Sequence, residues 1–69
     1  PQADQVTVEV FDLAGHRVRS LHQGHLAAGG HVLEWQGRDD HGQAVASGTF
    51  FCRVTAGTTV SSVPLTLLK

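Results

Sequence analysis

Apolar residues that recur at every second position constrain this chain more than any other feature of its sequence. Residues 6–10 read VTVEV, which places the three valines on one face. Residues 49–55 read TFFCRVT, which places Phe50, Cys52 and Val54 on one face and Phe51 on the other. A period of two is that of a half-buried β-strand, whereas an amphipathic helix repeats about every 3.6 residues. No stretch of about ten residues carries a helical stripe with a cap. The sequence therefore predicts an all-β chain.

Turn-forming residues divide the chain into short segments. Asp12 and Gly15 predict a hairpin turn after the first strand, with residues 17–21 as the returning strand. Residues 22–30 show no period and contain three glycines, which predicts a loop. Further strands are predicted at residues 31–35, in a short piece that begins at Val45, at 49–55 and at 58–68. Pro64 has no backbone N–H, so the last strand is expected at a sheet edge or with a bulge.

The length of the chain limits how this sheet can be stabilised. Sixty-nine residues and 7.3 kDa provide room for one core. Cys52 is the single cysteine, so the chain cannot form an internal disulfide. An apolar sheet face must be buried against another layer. We therefore expect a small antiparallel Ig-like (fibronectin III-like) β-sandwich of about six to seven strands.

Three motifs resemble a known family. Residues 6–19 read VTVEVFDLAGHRVR, residues 29–39 read GGHVLEWQGRD and residues 47–51 read SGTFF, with Gly42 between the last two. Together they resemble the Ig-like domain of the flagellar hook-capping protein. They also resemble the related C-terminal modules of secreted bacterial proteins, including type IX secretion sorting domains. The resemblance covers nearly the whole chain.

The resemblance implies one Ig-like module over residues 1–69, placed at the C-terminus of a larger secreted protein and located outside the cell or on its surface. Such modules usually carry an upstream strand that is not among these residues, so the expected sandwich could lack one edge strand. The sequence departs from the family pattern at Gln36, Phe50 and Cys52, where aspartate, tyrosine and another aromatic residue are common.

Residues of these motifs have structural interpretations that stand without the family. Gly15 lets the first hairpin close, and Trp35 is the largest apolar side chain that a thin sandwich can bury. Asp39 can accept hydrogen bonds from backbone N–H groups further along its turn. The residues with predicted structural roles are Gly15, Trp35, Gly37, Asp39, Gly42, Gly48 and Phe50.

Five histidines raise the question of a metal site, and His22 and His25 have a ligand-like spacing. A structural zinc site needs about four ligands, and the only thiol, Cys52, lies in a predicted core strand away from this pair. We therefore interpret the two histidines as solvated loop residues. No metal and no other cofactor is expected.

The segment DDHG at residues 39–42 invites two chemical interpretations. A calcium loop would need alternating oxygen ligands and a closing glutamate, which this segment lacks. A catalytic Asp–His pair would need Ser47 or Cys52 as its nucleophile, and no G-x-S-x-G motif accompanies either residue. We interpret the segment as a turn, and we predict that the protein is not an enzyme.

Charge and hydropathy restrict the partners that the chain can bind. The formal net charge is -1, without the basic surplus of a nucleic-acid-binding protein. No apolar run approaches the roughly 20 residues of a membrane-spanning helix. The expected partners are therefore proteins: domains of the parent protein, secretion machinery or further copies of the chain. The predicted interaction surface consists of Phe51, Arg53, Leu65, Leu67 and Lys69.

These features lead to one functional hypothesis and two alternatives. The first is a non-catalytic accessory module for export sorting, cell-surface attachment or spacing. The second is a self-associating structural subunit in which an open sheet edge, formed by the uncharged residues 60–68, accepts a strand from a neighbour. A weaker alternative is a carbohydrate-binding module that uses Trp35 or Phe51.

Overall fold

A computed structural model describes residues 4–26 and 33–68, and the strands in these ranges form one antiparallel sheet. The strands are β1 (Asp4–Phe11), β2 (Arg17–Leu26), β3 (Gly48–Ala56) and β4 (Thr59–Leu67). Their order across the sheet is β2-β1-β3-β4, so β1 and β3 are central while β2 and β4 form the edges. The prediction of an all-β antiparallel chain is confirmed.

The two-residue alternation gives the sheet two different faces. Val8 lies opposite Val54 and Val10 opposite Cys52 in the register of β1 with β3, so these side chains share one face, the inner face. Val8, Val10 and Phe50 are the buried apolar residues of the described ranges, and Val10 has no exposed surface. The opposite face, the outer face, carries among others Glu9, Phe11, Phe51, Arg53 and Pro64.

The hairpin turn between β1 and β2 is built on Asp12. Its Oδ1 accepts hydrogen bonds from the backbone N–H of Ala14 at 3.0 Å and of His16 at 2.9 Å. Gly15 has a φ of +86°, a conformation that side chains with a Cβ rarely adopt. The carboxylate thus holds the turn closed while the glycine supplies the required backbone angle.

Strand β2 is longer than predicted. The expected loop at residues 22–30 is wrong for residues 22–26, which continue β2 to Leu26 and pair with β1 as far as Asp4. Gly24, which we took as a loop signal, lies inside this edge strand with a φ of +128°. The long β1 supplies backbone partners that outweigh the cost of a glycine in a strand. Residues 27–30 lie outside the described part.

The strand predicted at residues 31–35 is wrong for residues 33–35, which belong to no strand; residues 31 and 32 are not described. Trp35 packs its ring on Phe50, so residues 33–36 cross the inner face through side-chain contacts instead of a backbone ladder. The short extended piece expected at Val45 is reduced to one bridge between Arg38 and Ala44.

The expected count of six to seven strands is wrong for the described residues, which form one open sheet of four strands. This small antiparallel β domain is still consistent with the expected Ig-like class. In place of a second sheet, residues 33–37 cover part of the inner face. Gly37 and Trp35 hold this segment against Leu67 and Phe50 respectively. The predicted number of strands is too high because alternation in the sequence shows only which side chains face inward. An irregular segment can place side chains on the inner face as a strand does, and Trp35 is an example.

Strand β4 lies at one edge of the sheet, as the proline in its sequence predicts. It pairs with β3 over Thr59 to Leu67, and Pro64 lies opposite Phe51. Except at Leu65 and Leu67, which are half-buried, its residues are exposed. An edge position tolerates a residue without a backbone donor, so the prediction for this strand is confirmed. The described ranges contain no helix long and apolar enough to span a membrane.

Candidate interaction site

Trp35 is the centre of the segment that covers the inner face. Its ring meets Phe50 edge to face, with centroids 5.0 Å apart and an interplanar angle of 72°. The indole N–H donates to the backbone oxygen of Arg38 at 2.9 Å. An aromatic pair of this geometry stabilises the packing beyond the area that it buries. The indole N–H and the ring of Trp35 are therefore both engaged in contacts within the protein.

Asp39 organises the turn that follows. Its Oδ1 accepts hydrogen bonds from the backbone N–H of His41 at 2.9 Å and of Gln43 at 3.0 Å. Its carbonyl oxygen accepts from Nη1 of Arg19 at 2.7 Å, which ties the turn to β2. Gly42 closes the same turn with a φ of +82°. The carboxylate of Asp39 is thus used by the backbone of its own loop.

Asp40 points in another direction, toward β2. Its Oδ1 accepts from the Ser20 backbone N–H at 2.9 Å, and its Oδ2 lies 3.2 Å from Nε of Arg17. The hydrogen bond from Ser20 and the charge of Arg17 lower the pKa of the Asp40 carboxyl below its ordinary value. Asp39 thus stabilises the turn at residues 39–42, and Asp40 binds that turn to β2.

The two histidines considered as a metal pair lie on opposite faces of the sheet. His22 is paired with Val8 of the inner face, and His25 is paired with Gln5 of the outer face. A spacing of three residues suits a loop or helix, but in a strand it separates the side chains. Over residues 4–26 and 33–68, no group of three or more His, Cys, Asp or Glu side chains is placed to hold a metal ion.

Cys52 is half-buried on the inner face, where it lines an open groove of about 250 Å³. Burial raises the pKa of its thiol, which favours the neutral, unreactive form. The remaining lining is mainly apolar: Val8, Leu21, Leu33, Trp35, Leu65 and Leu67. Cys52 accordingly behaves as a small apolar side chain of the core.

The outer face holds a cluster of charged and aromatic side chains. Nη2 of Arg53 lies 3.4 Å from Oε1 of Glu9, and Nη1 of Arg17 lies 3.5 Å from Oε2 of the same carboxylate. The Arg53 guanidinium also sits over the ring of Phe11, 4.3 Å from its centroid. Phe51 is the cross-strand neighbour of Phe11 and is 37% exposed. We call these five residues the arginine–phenylalanine cluster.

The predicted interaction residues do not form one surface. Phe51 and Arg53 lie on the outer face, whereas Leu65 and Leu67 line the groove of the inner face, and Lys69 is outside the described residues. Sequence reasoning did not single out Glu9 and Phe11, which contact Arg53, or Arg17, which contacts the same Glu9 carboxylate. The β1 alternation places Glu9 and Phe11 on one face, but only the strand order shows that this face is shared with Arg53.

Comparisons with known proteins agree with this architecture. The family model described as the FlgD Ig-like domain matches residues 1–61. The basal-body rod modification protein FlgD of Salmonella typhimurium is 38% identical over 66 residues, which cover 91% of this chain and 28% of the relative. The protein of the same name from Salmonella typhi matches equally. The chain therefore spans less than a third of the length of these relatives. No solved structure matches the chain significantly.

These matches correct two expectations. An extracellular or cell-surface location is wrong, because the matching relatives are named for the flagellar basal-body rod and not for secreted proteins. The likeness to type IX sorting modules, and with it the C-terminal sorting signal, finds no support in the comparisons. The likeness to the flagellar Ig-like type is confirmed. This chain belongs to the FlgD Ig-like domain family.

Proposed function

We propose that this chain is a non-enzymatic protein-interaction module in a protein that acts in flagellar basal-body rod modification. The observation that carries the proposal is the family match over residues 1–61, together with 38% identity to relatives named for that process. Protein partners suit a small sheet with an exposed aromatic and arginine surface. Export sorting and surface attachment gain no support from the relatives and are left out of this proposal.

The side chains that could perform chemistry are engaged in holding the fold, which supports a non-enzymatic role. The Asp39 carboxylate binds backbone N–H groups of its own turn, and the Asp40 carboxylate binds Ser20 and Arg17. The thiol of Cys52 is half-buried among apolar residues with a raised pKa. Groups used in this way stabilise a scaffold on which partners dock.

The proposal is tested by exchanging domains. This chain replaces the 66 matching residues of the Salmonella typhimurium relative, and swimming in soft agar is compared with the parent strain and with a deletion of the same region. We expect the exchange to restore swimming and basal-body assembly, seen by electron microscopy. A matched exchange that carries Phe50→Ala should fail, because its core is disrupted. An exchange that is produced at the parent level and folded, yet behaves like the deletion, would contradict the proposal.

A second candidate function, self-association, is favoured by the structure of β4. Nine consecutive residues at this sheet edge carry no charge, and their outer side has no partner strand within the described ranges. Backbone groups at such an edge can pair with a strand of a second molecule. Since β4 is an edge strand, two copies related by a two-fold axis perpendicular to the sheet would pair β4 with β4 antiparallel in one continuous sheet.

Sedimentation velocity at increasing protein concentration tests this second candidate. We expect a monomer–dimer equilibrium, and Val63→Lys in β4 should shift it to monomer by placing like charges across the pair. Leu13→Lys is the matched control, because Leu13 is exposed in the β1–β2 turn and far from this edge. A mass of 7.3 kDa at every concentration would rule out self-association through β4.

A further inference from the structure

Asp40 makes both hydrogen bonds that an added strand would make with the first half of β2. Its backbone N–H donates to the backbone oxygen of Val18 at 2.9 Å. Its side-chain Oδ1 accepts from the backbone N–H of Ser20 at 2.9 Å. Backbone N–H and C=O groups of a strand lie in the plane of the sheet, and β1 is on the other side of β2. Asp40 therefore lies beside β2, at the edge of the sheet.

The two hydrogen bonds follow the pattern of a parallel strand pair. In such a pair, one residue donates its N–H to the C=O of residue i on the neighbouring strand, and its own C=O accepts from the N–H of residue i+2. Asp40 contacts Val18 and Ser20 in this way, except that a carboxylate oxygen takes the place of the backbone C=O. Asp40 thus imitates one residue of a neighbouring strand, although it belongs to a turn.

Two arginines of β2 hold Asp40 in this position. Nε of Arg17 lies 3.2 Å from Oδ2 of Asp40, so one carboxylate oxygen faces the cation while the other faces Ser20. Nη1 of Arg19 donates to the carbonyl oxygen of Asp39 at 2.7 Å, which binds the preceding residue to the same strand. The hydrogen bond from Ser20 and the charge of Arg17 lower the pKa of the Asp40 carboxyl, so it is an ionised acceptor at neutral pH.

The backbone groups that Asp40 binds would otherwise be open to a second molecule. An unpaired sheet edge binds strands of other chains, and proteins prevent this by covering the edge or by placing charges on it. The register shifts of β2 against β1 occur at Val18 and Leu21. Between these positions, Val18 and Ser20 still present a C=O and an N–H on the same side, as strand pairing requires. A second molecule has to displace Asp40 in order to pair here.

We propose that Asp40 protects the edge of β2 against strand addition by a second copy of this chain, because it occupies the Val18 C=O and the Ser20 N–H. Without the carboxylate, the Ser20 N–H is free, and β2 can pair with β2 of another copy in antiparallel orientation. The inference concerns β2 alone and does not depend on pairing through β4. Its test therefore uses the full chain with Val63→Lys, which places a charge on the β4 edge.

Amide hydrogen exchange, measured by NMR, tests the hydrogen bond to Ser20. With Asp40 present, the Ser20 amide should exchange at least about tenfold more slowly than the β4 amides that face away from β3. Asp40→Ala should remove this protection. Asp40→Asn keeps an acceptor oxygen at the same place and should retain most of it. His41→Ala is the matched control, because His41 is the exposed neighbour in the same turn.

Sedimentation velocity tests the protection of the edge. Asp40→Ala should produce a dimer that increases with protein concentration, whereas Asp40→Asn and His41→Ala should remain monomeric. Urea unfolding followed by Trp35 fluorescence checks that each variant is folded. A role of Asp40 in stability alone would lower the urea midpoint without producing a folded dimer.

Three results would overturn the inference. The first is a Ser20 amide that exchanges as fast as the outward-facing amides of β4 while Asp40 is present. The second is equal Ser20 exchange with and without the Asp40 carboxylate. The third is a folded Asp40→Ala variant that exchanges rapidly at Ser20 but stays monomeric at every concentration. If Asp40→Ala does not fold, Asp40→Gln takes its place, since the extra methylene moves the acceptor oxygen away from Ser20.

Discussion

Replacing Phe50 by alanine should lower the free energy of unfolding by about 3–5 kcal/mol. A chain of this length has a total stability of about 3–10 kcal/mol, so the variant should be largely unfolded or close to it at room temperature. Phe50 is one of the buried apolar residues of the described ranges, together with Val8 and Val10. Its removal would leave a cavity and would also abolish the edge-to-face contact with Trp35.

Urea denaturation followed by tryptophan fluorescence measures this effect. Trp35 is the only tryptophan and lies against Phe50, so its emission reports on the core. The matched control is Phe51→Ala, which removes the same side chain one position along β3 but on the outer face. We expect it to cost no more than about 1 kcal/mol, since Phe51 is exposed. Phe50→Leu keeps most of the volume and should remain folded enough to measure. Equal stability of the Phe50→Ala and Phe51→Ala variants would show that Phe50 is not a core residue.

Gly37→Ala is the second substitution with a large expected effect, about 2–3 kcal/mol of destabilisation. Gly37 is buried with a φ of +71°, and an added Cβ would lie 3.2 Å from both Cδ atoms of Leu67. The variant therefore combines backbone strain with crowding against β4. Gly15→Ala is the control, because Gly15 has a φ of +86° and nothing within 4 Å of the added Cβ.

The two glycine variants separate strain from crowding. Gly15→Ala should cost about 1–2 kcal/mol through the backbone alone, and the excess for Gly37→Ala should come from Leu67. Leu67→Ala in the Gly37→Ala background should remove that excess in a double-mutant cycle of thermal or urea unfolding. If the two glycine variants lose equal stability, then Leu67 does not hold the covering segment against the sheet.

Much of the sheet can be predicted from the sequence because the residues that specify each strand or turn lie close together along the chain. The alternation at residues 6–10 and 49–55 determines which side chains face inward, and the turn at Asp12 follows from a side chain that binds nearby backbone N–H groups. Pro64 predicts the edge position of β4 through its missing donor. Each of these inferences concerns residues that lie within a few positions of one another.

The remainder depends on contacts between distant residues. Trp35 has the alternation of a strand, but its contact with Phe50 places it in an irregular covering segment. Gly24 reads as a loop residue, yet the length of β1 extends β2 through it. The arginine–phenylalanine cluster requires the order β2-β1-β3, which brings Arg17, Glu9 and Arg53 into a row across three strands. No spacing within the sequence records that order.

The two edges of the sheet differ in regularity, and this difference limits how large an assembly can become. Against β1, β2 shifts register at two places, beside Val8/Glu9 and beside Val10/Phe11, and it contains Gly24 at a positive φ. Bulges twist a strand and hinder further pairing, whereas β4 pairs with β3 without a register shift. Growth by strand addition would thus stop at a closed pair with β2 outermost on both sides. The proposed pairing through β4 would therefore give a dimer and not an open-ended fibril.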